Sequence, residues 1–355
     1  MGLLGVRRRE VETRQVVVRD VTDVWSLRSA QLSVLPAVVE ACVRLLAGTV
    51  ATLPIQLLRD GEPVPLGWLT RPSPPQPRPQ TIAAMVRTLL LYGDLVAAVA
   101  TRDDGSVLAL DLVDPAQVGW RTEGTRARLT VQGRPVRLWP DGPWWHCALD
   151  PVAGHPAGTS RLAAARAAVE QLRCGDALVL DAVRAGGVPS GVVSSDHPLT
   201  EEQAGQIKAA FLAAVRGRVP AVLGSGLRYQ ATGGTVADLQ LTELLRRAAE
   251  DVCRVFGVPP EMIGLASSGQ SVTYANREQR AIDFVAFGVA PILAQLEAGL
   301  GGLLPPGERV RFRVAGLLRA DLKARYDSYE TAAKVAQLMG EPLLTVAEMR
   351  AFEDL

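Results

Sequence analysis

Apolar positions recur at helical spacing through much of the chain and alternate elsewhere, and the two rhythms together predict an α+β fold. A helix is expected from about Ser33, with Val38, Cys42, Leu45, Leu46 and Val50 on one face and Pro54 as its stop. Ile55 to Leu58 reads as a strand leading into an Asp60-Gly61 turn. Residues 1–32 are polar, with Val16 and Val18 alternating, and read as an arm or edge strand. Five prolines within residues 72–79 predict a stiff, extended connector. A helix over about 81–92 follows. Then comes a β-rich stretch at 95–100, 107–113, 127–131 and 136–139, with a hairpin turn at Asp103-Asp104-Gly105. Trp139, Trp144 and Trp145 read as a packed satellite cluster.

From residue 160 the pattern turns helical and alanine-rich to about 184, where Gly186-Gly187 breaks it. Gly191-Val192-Val193 suggests a short strand. Thr200 with Gln203 has the form of a capping box, opening a helix that carries Ile207, Phe211 and Val215 on one face. Residues 221–223 and 227–229 are further short strands. A strong helix is expected over 236–256, with Leu241, Leu244, Leu245, Ala248, Val252 and Phe256 facing inward, stopped by Gly257 and Pro259-Pro260. A polar loop over 261–274 precedes a long helix over 275–303 that Pro291 should kink. Residues 309–314 read as a strand with arginines at alternate positions, and helices begin near Ala320 and Thr345.

With 355 residues, 48% apolar and 21% charged, the chain can bury a core in about two domains or one elaborate one. A net charge of +1 excludes polybasic behaviour, so contact with nucleic acid must come from local geometry. Cys42, Cys147, Cys174 and Cys253 form no CxxC pair, and His146, His155 and His197 lie in loop-like sequence. Small buried hydrophobes and surface histidines are expected rather than a disulfide framework or a metal centre. Arg7, Arg8 and Arg9 precede no apolar h-region, and Glu40 and Arg44 interrupt the apolar stretch at 34–58. No secretory signal or membrane span is therefore expected, and the protein should work inside a cell or a particle assembled there.

Catalytic constellations are missing as well. No phosphate-cradling G-x-x-x-x-G-K-[ST] loop and no H-E-x-x-H occur, and Leu223 precedes Gly224-Ser225-Gly226 where a nucleophile elbow needs glycine. Asp103-Asp104 fits turn chemistry, and Glu201-Glu202 complements a helix dipole. No catalytic residues and no cofactor are expected. The alanine-rich helix at 160–184 carries apolar residues on more than one face, which suggests burial between copies of the chain.

A set of short motifs follows one another along the chain. Ala41-Cys42-Val43-Arg44-Leu45-Leu46-Ala47 with Val50-Ala51-Thr52-Leu53-Pro54 opens it. Asp238, Gln240, Glu243, Glu250, Cys253-Arg254 and Phe256-Gly257-Val258-Pro259-Pro260 form its centre. Tyr274, Asn276, Glu278-Gln279 and Phe284, then Pro291 and Leu296-Glu297, continue it. Leu317-Leu318-Arg319-Ala320-Asp321, Arg325 and Tyr329, and finally Leu344-Thr345-Val346-Ala347-Glu348-Met349-Arg350, close it. This ordered set resembles the Hong Kong 97 family of bacteriophage portal proteins, with Cys253 in place of the family's usual alanine, Ala275 in place of a serine and Ala347 in place of an asparagine. A non-viral ring scaffold and a soluble hydrolase are the competing readings.

The resemblance implies a portal fold. Its parts are a wing at 1–158 with a returning strand at 309–318, a first stem helix at 159–184 and a clip at 185–235. A second stem helix lies at 236–257, a tunnel loop and kinked helix at 258–304, and a crown at 319–355. It implies a ring, as a dodecamer, at one capsid vertex of the virion, assembled in the host cytoplasm without a membrane. The implied partners are the terminase large subunit, a head–tail adaptor, the major capsid protein and double-stranded DNA read without sequence preference. Ser267, Ser268, Gln270 and Thr273 would meet phosphates without fixed charge, alongside Tyr274 and Asn276. Arg277 and Arg280 either steady the phosphate backbone or pair with Glu278 or Asp283 of this or a neighbouring subunit. Arg216 and Arg218 either dock an acidic partner or compensate a helix dipole.

Overall fold

Pro36 opens helix α1 (Ala37–Thr52), its carbonyl accepting from Val39 and Glu40 N–H. The buried stripe of α1 is Val39, Cys42, Val43, Leu46, Ala47 and Val50, whereas Val38 and Leu45 are half-buried. The helix is rotated from the expected face because Val38-Val39, Cys42-Val43 and Leu45-Leu46 are adjacent apolar pairs, and periodicity alone does not choose the inward member. The computed structural model describes residues 35–123, 126–184, 191–217, 226–231, 241–265, 274–314 and 322–340, with Thr345. The expected arm at 1–32, the strand at 221–223 and the helix near Thr345 lie outside the described residues, apart from Thr345 itself. The chain divides into two compact units. Val43–Ser160 and Gly257–Leu355 make up most of the first, and Arg161–Phe256 most of the second.

In the first unit, strand β1 (Ile55–Arg59) lies between β2 (Glu62–Val64) and β11 (Glu308–Phe312), antiparallel to both. Ile55 pairs with Phe312 and Leu57 with Val310, all buried, so Arg309 and Arg311 fall on the outward face. That register explains the alternating arginines. The proline segment is a compact turn rather than an extended connector. Gln76 N–H donates to the Ser73 carbonyl, Pro72 accepts from Leu110 N–H at 2.8 Å, and helix α2 (Arg78–Tyr92) starts within it. Pro79 sits at the start of α2, where a missing N–H costs nothing.

Strand β3 (Asp94–Thr101) is central between β4 (Val107–Leu112) and β8 (Trp144–Ala148), and β5 (Val118–Glu123), β6 (Arg126–Val131) and β7 (Arg134–Pro135) form another antiparallel sheet. The strand expected at 136–139 is absent; β5 and β8 stand where no strand was expected. Trp144 and Trp145 are neighbours on β8, so their side chains point to opposite faces and the tryptophans form no single cluster. Trp144 packs with Val96, Leu129 and Val131, whereas buried Trp145 donates to the Gly299 carbonyl at 2.9 Å.

The long helix expected to kink at Pro291 is three segments: α6 (Tyr274–Asp283), a π-helical stretch at Phe284–Val289 and α7 (Ala290–Gly301). Ala290 N–H reaches the Val285 carbonyl, so the widened turn falls directly before the proline that lacks a donor. Gln279–Gly301 is long and apolar enough to cross a membrane by length and composition. Its second half packs inside the fold: Val289, Ile292, Leu296 and Leu300 are fully buried and α7 packs on β8 and β11, whereas Ile282 and Phe287 in its first half are exposed. Helix α8 (Leu322–Met339) follows.

The second unit pairs helices α3 (Arg166–Arg184), preceded by a helical turn at Arg161–Ala164, and α5 (Leu241–Phe256). Buried positions Arg161, Ala165, Ala168, Leu172 and Gly175 recur at alternating spacings of four and three, the narrow seam of two antiparallel helices. A Cβ on Gly175 would collide with Leu245, so glycine sets their approach. Leu244, expected inward, is 53% exposed. Helix α4 (Glu201–Gly217) opens on the expected capping box: Gln203 N–H donates to Thr200 Oγ1 at 3.3 Å, and Thr200 N–H to Gln203 Oε1 at 3.1 Å. Strands β9 (Gly191–Ser195) and β10 (Leu227–Ala231) pair antiparallel, and Phe211 stacks on Tyr229.

Candidate channel segment

The segment singled out by sequence runs from the end of α5 into α6. Gly257, at φ 69°, lets the chain leave the helix, and Val258 is buried. A Cβ on Gly257 would lie 3.1 Å from Gly288 Cα, and one on Gly288 would collide with the Gly257 carbonyl. The chain therefore leaves α5 in backbone contact with the π-helical stretch. Pro260–Ile263 forms a 3-10 turn, closed by Leu265 N–H donating to the Pro260 carbonyl at 3.0 Å and by Gly264 in the left-handed region.

Ser267, Ser268, Gln270 and Thr273 lie outside the described residues, as does Arg218. Tyr274, Asn276 and Arg277 lie on the first turn of α6, and Arg216 lies on the last turn of α4. Arg280 forms an ion pair with Glu261 on the 3-10 turn; Asp283, one of the expected partners, accepts from the Gln279 amide at 2.9 Å, and the side chain of Glu278 lies outside the described residues. Both members of the Arg280–Glu261 pair are mostly buried, with 21% and 26% of their side chains exposed. The spacing along α6 suggested a partner on the same helix, but the chain folds back and brings a carboxylate from before the loop.

Two polar positions escaped the sequence reading. Arg161, buried, donates to the Phe256 carbonyl at 2.8 Å and so caps the C-terminus of α5, where a cation is favoured. Asp94 accepts from His146 Nε2 at 2.7 Å, Gly158 N–H at 2.8 Å and Trp120 Nε1 at 3.0 Å, joining three strands to the stretch that enters α3. Burial alone would push the Asp94 carboxyl up, but these hydrogen bonds outweigh it and hold the group below its ordinary value. His146 is thus a strand residue and largely buried, whereas His155 and His197 are exposed. Its signal was legible: Trp145, Cys147 and Leu149 alternate as one buried face, which leaves His146 with Trp144 on the other.

Cys42, Cys147 and Cys253 are buried as expected, but Cys174 is exposed. Cys253, the substitute for alanine in the resembled pattern, hydrogen-bonds Cys42; that bond and burial raise the Cys42 thiol far above its ordinary value. Glu243, which belongs to the same pattern, pairs with Arg246, and the guanidinium holds its carboxyl below the usual range. Among the described residues no group of three or more His, Cys, Asp or Glu side chains is placed to hold a metal.

Sheets capped by a core helix in one unit, and a helix pair with a small helix-and-hairpin element in the other, define an α+β protein of the portal fold. The fold is shared with the crystal structure of an HK97 family phage portal protein from Corynebacterium diphtheriae, 23% identical, with a TM-score of 0.60 over 82% of this chain and 96% of that one. It is also shared with the neck of a native gene transfer agent particle computed with C12 symmetry, 20% identical, with a TM-score of 0.54 over 87% of each chain. The chain belongs to the phage portal protein family, whose model it matches over residues 37–354, and its function is that of a portal protein. A probable portal protein of Streptomyces phage phiC31 is 26% identical over 345 residues, which are 89% of this chain and 73% of the relative.

Proposed function

We propose that copies of this chain close into a dodecameric ring at one capsid vertex of a virion, assembled in the host cytoplasm, and that double-stranded DNA enters and leaves through its channel. The observation that carries the ring is the end of α3. Past Gly175 no described position of that helix is buried, and the consecutive residues Leu178, Val179 and Leu180 are 43%, 39% and 49% exposed. Three successive helical residues span about 200° of the surface, so no single intramolecular partner covers them, while neighbouring copies on two sides do. The neck that this fold resembles was computed with C12 symmetry, which fits twelve copies.

In this reading the chain is a passive conduit, not an enzyme. A terminase large subunit supplies the ATP-driven motor, a head–tail adaptor replaces it, and the major capsid protein surrounds the ring. Ser267, Ser268, Gln270 and Thr273, with Tyr274, Asn276 and Arg277 at the start of α6, face the DNA; uncharged donors let phosphates exchange as the duplex slides. Arg216, on the last turn of α4, and Arg218, just after it in sequence, meet acidic groups of the terminase. The wing, stem, clip and crown follow the boundaries given by the resemblance.

Electron microscopy of the purified protein tests the ring. Closed rings with a central channel are expected. A stable monomer at every protein and salt concentration would overturn the reading. Purified rings are expected to hydrolyse no ATP, and turnover abolished by a point substitution in this chain would contradict the passive role.

A further inference from the structure

Glu261 belongs to the 3-10 turn before residues 266–273, and Arg280 to the helix after them. Their side chains form an ion pair that is mostly withdrawn from water. Both flanks are already fixed. The turn is closed by Gly264 N–H to the Glu261 carbonyl and Leu265 N–H to the Pro260 carbonyl, and Gly257 abuts Gly288 beyond α6. The ion pair is the side-chain link between these two backbone anchors.

We propose that Arg280 is a positioning residue: with Glu261 it clasps the start of the channel segment to its end and fixes where α6 leaves the turn, rather than serving as a cation for DNA phosphates. The inference rests on the portal reading and narrows its list of DNA-facing residues. A guanidinium that exchanges phosphates must be free in water. One held by a carboxylate away from water is already neutralised, and turning it toward DNA would strand Glu261 unpaired. The pair also adds no net charge beside the duplex, so it adds no counterion-driven drag.

The test compares Glu261→Gln, Arg280→Gln, Arg280→Lys and the exchange of Glu261→Arg with Arg280→Glu. In purified full-length protein, tryptic cleavage after Arg277 is followed by mass spectrometry. In assembled particles, DNA per particle is measured. Either glutamine variant should raise the cleavage rate roughly three- to tenfold and lower packaged DNA to a similar extent, with ring yield unchanged. The lysine variant should lie near wild type, and the exchange should recover most of both losses. If Arg280 instead contacts phosphate, Arg280→Gln alone lowers packaged DNA, Glu261→Gln leaves it intact, and the exchange is worse than either; that result overturns the proposal. Unchanged cleavage in both glutamine variants overturns it too. A wild-type protein that forms no ring would sink the portal reading instead, and the cleavage series would still decide the role of the pair.

Discussion

The sheet-rich unit and the helical unit bury their apolar residues in different ways. In the first, helix α2 buries Ile82, Met85, Val86, Leu89 and Leu90, and α7 buries Ile292, Leu293, Leu296 and Leu300 while packing on β8 and β11. A sheet face gives a helix a broad surface, so the apolar stripe closes within one chain. In the second, α3 and α5 meet only along a seam one residue wide. The outer face of α5 is mostly polar, with Leu244 as its exposed apolar residue, and is laced by Arg246 with Glu243 and Glu250 and by Arg254 with Asp251. The end of α3 is apolar and uncovered. In the first unit the apolar stripes of α2 and α7 close within the chain, although Phe287 stays 72% exposed, whereas the apolar end of α3 in the second unit is left open.

The sharpest way to break that contrast is to attack the first unit where it has no slack. Gly93, at φ 83°, ends α2 and lies against Gly158; a Cβ on either would collide with backbone of the other. Neither neighbour is a side-chain tip that can swing aside. Gly158→Ala should cost about 4 kcal/mol or more, enough to leave the chain unfolded or aggregated. Urea unfolding of a soluble variant with a loss under about 1 kcal/mol would show that this backbone contact is looser than described.

The second unit should respond the opposite way. Leu178→Glu with Leu180→Glu removes apolar surface that is exposed in the monomer, so circular dichroism and monomer stability should hardly change. Each leucine buried against a neighbour contributes about 1.5–3 kcal/mol, so the double variant should weaken each subunit contact more than a hundredfold. Light scattering should then find monomer where wild type forms rings. Rings of normal yield would mean that the uncovered end of α3 faces something other than another copy.

Asp94 offers a smaller and pH-dependent effect. With 12% of its side chain exposed and three donors around it, Asp94→Asn should cost roughly 1–3 kcal/mol at pH 7. Its folded value is depressed, so its contribution is present above the unfolded value of about 3.9 and is lost as pH falls through the lower folded value. The gap between wild type and variant should therefore narrow below about pH 4, read by urea unfolding at neutral and acid pH. An equal gap at both would assign the loss to shape rather than charge.

Most elements were legible because local signals agreed with one another. Thr200 and Gln203 capped α4 as expected, Gly257 and Pro259-Pro260 ended α5, and alternating arginines marked β11. Legibility failed where the deciding partner is distant in sequence. β5 is polar, with Arg121, Thr122 and Glu123, and is held by its register with β6 rather than by its own pattern. The π-helical stretch before Pro291 is a backbone solution that the proline signals only as trouble. In the candidate segment, Glu261 could not be matched to Arg280 from spacing, because the two meet only after the chain reverses. Arg161 likewise gives no local sign that it caps a helix beginning eighty residues later, at Leu241.

The smallest effect is the most direct gauge of what covers α3. Cys174 is exposed on that helix, one position before the seam residue Gly175, while Cys42, Cys147 and Cys253 are buried. Thiol reagents attack the thiolate, so burial slows them twice, by blocking access and by raising the thiol's ordinary value. Burial pushes Cys147 up to about 12, the Asp94 charge adding to it, and Cys42 is raised by its bond to Cys253 and by burial. At pH 8 the native monomer should therefore label one thiol per chain quickly, and the other three only on unfolding. Cys174→Ser should abolish the fast phase without changing stability measurably. If neighbouring copies cover the outer face of α3, the same fast phase should slow about tenfold once rings form, because the reagent then waits for local opening. Labelling at an unchanged rate in rings would place the subunit contact away from Cys174. A second fast thiol in the monomer would show that the helical unit opens more readily than its seam implies.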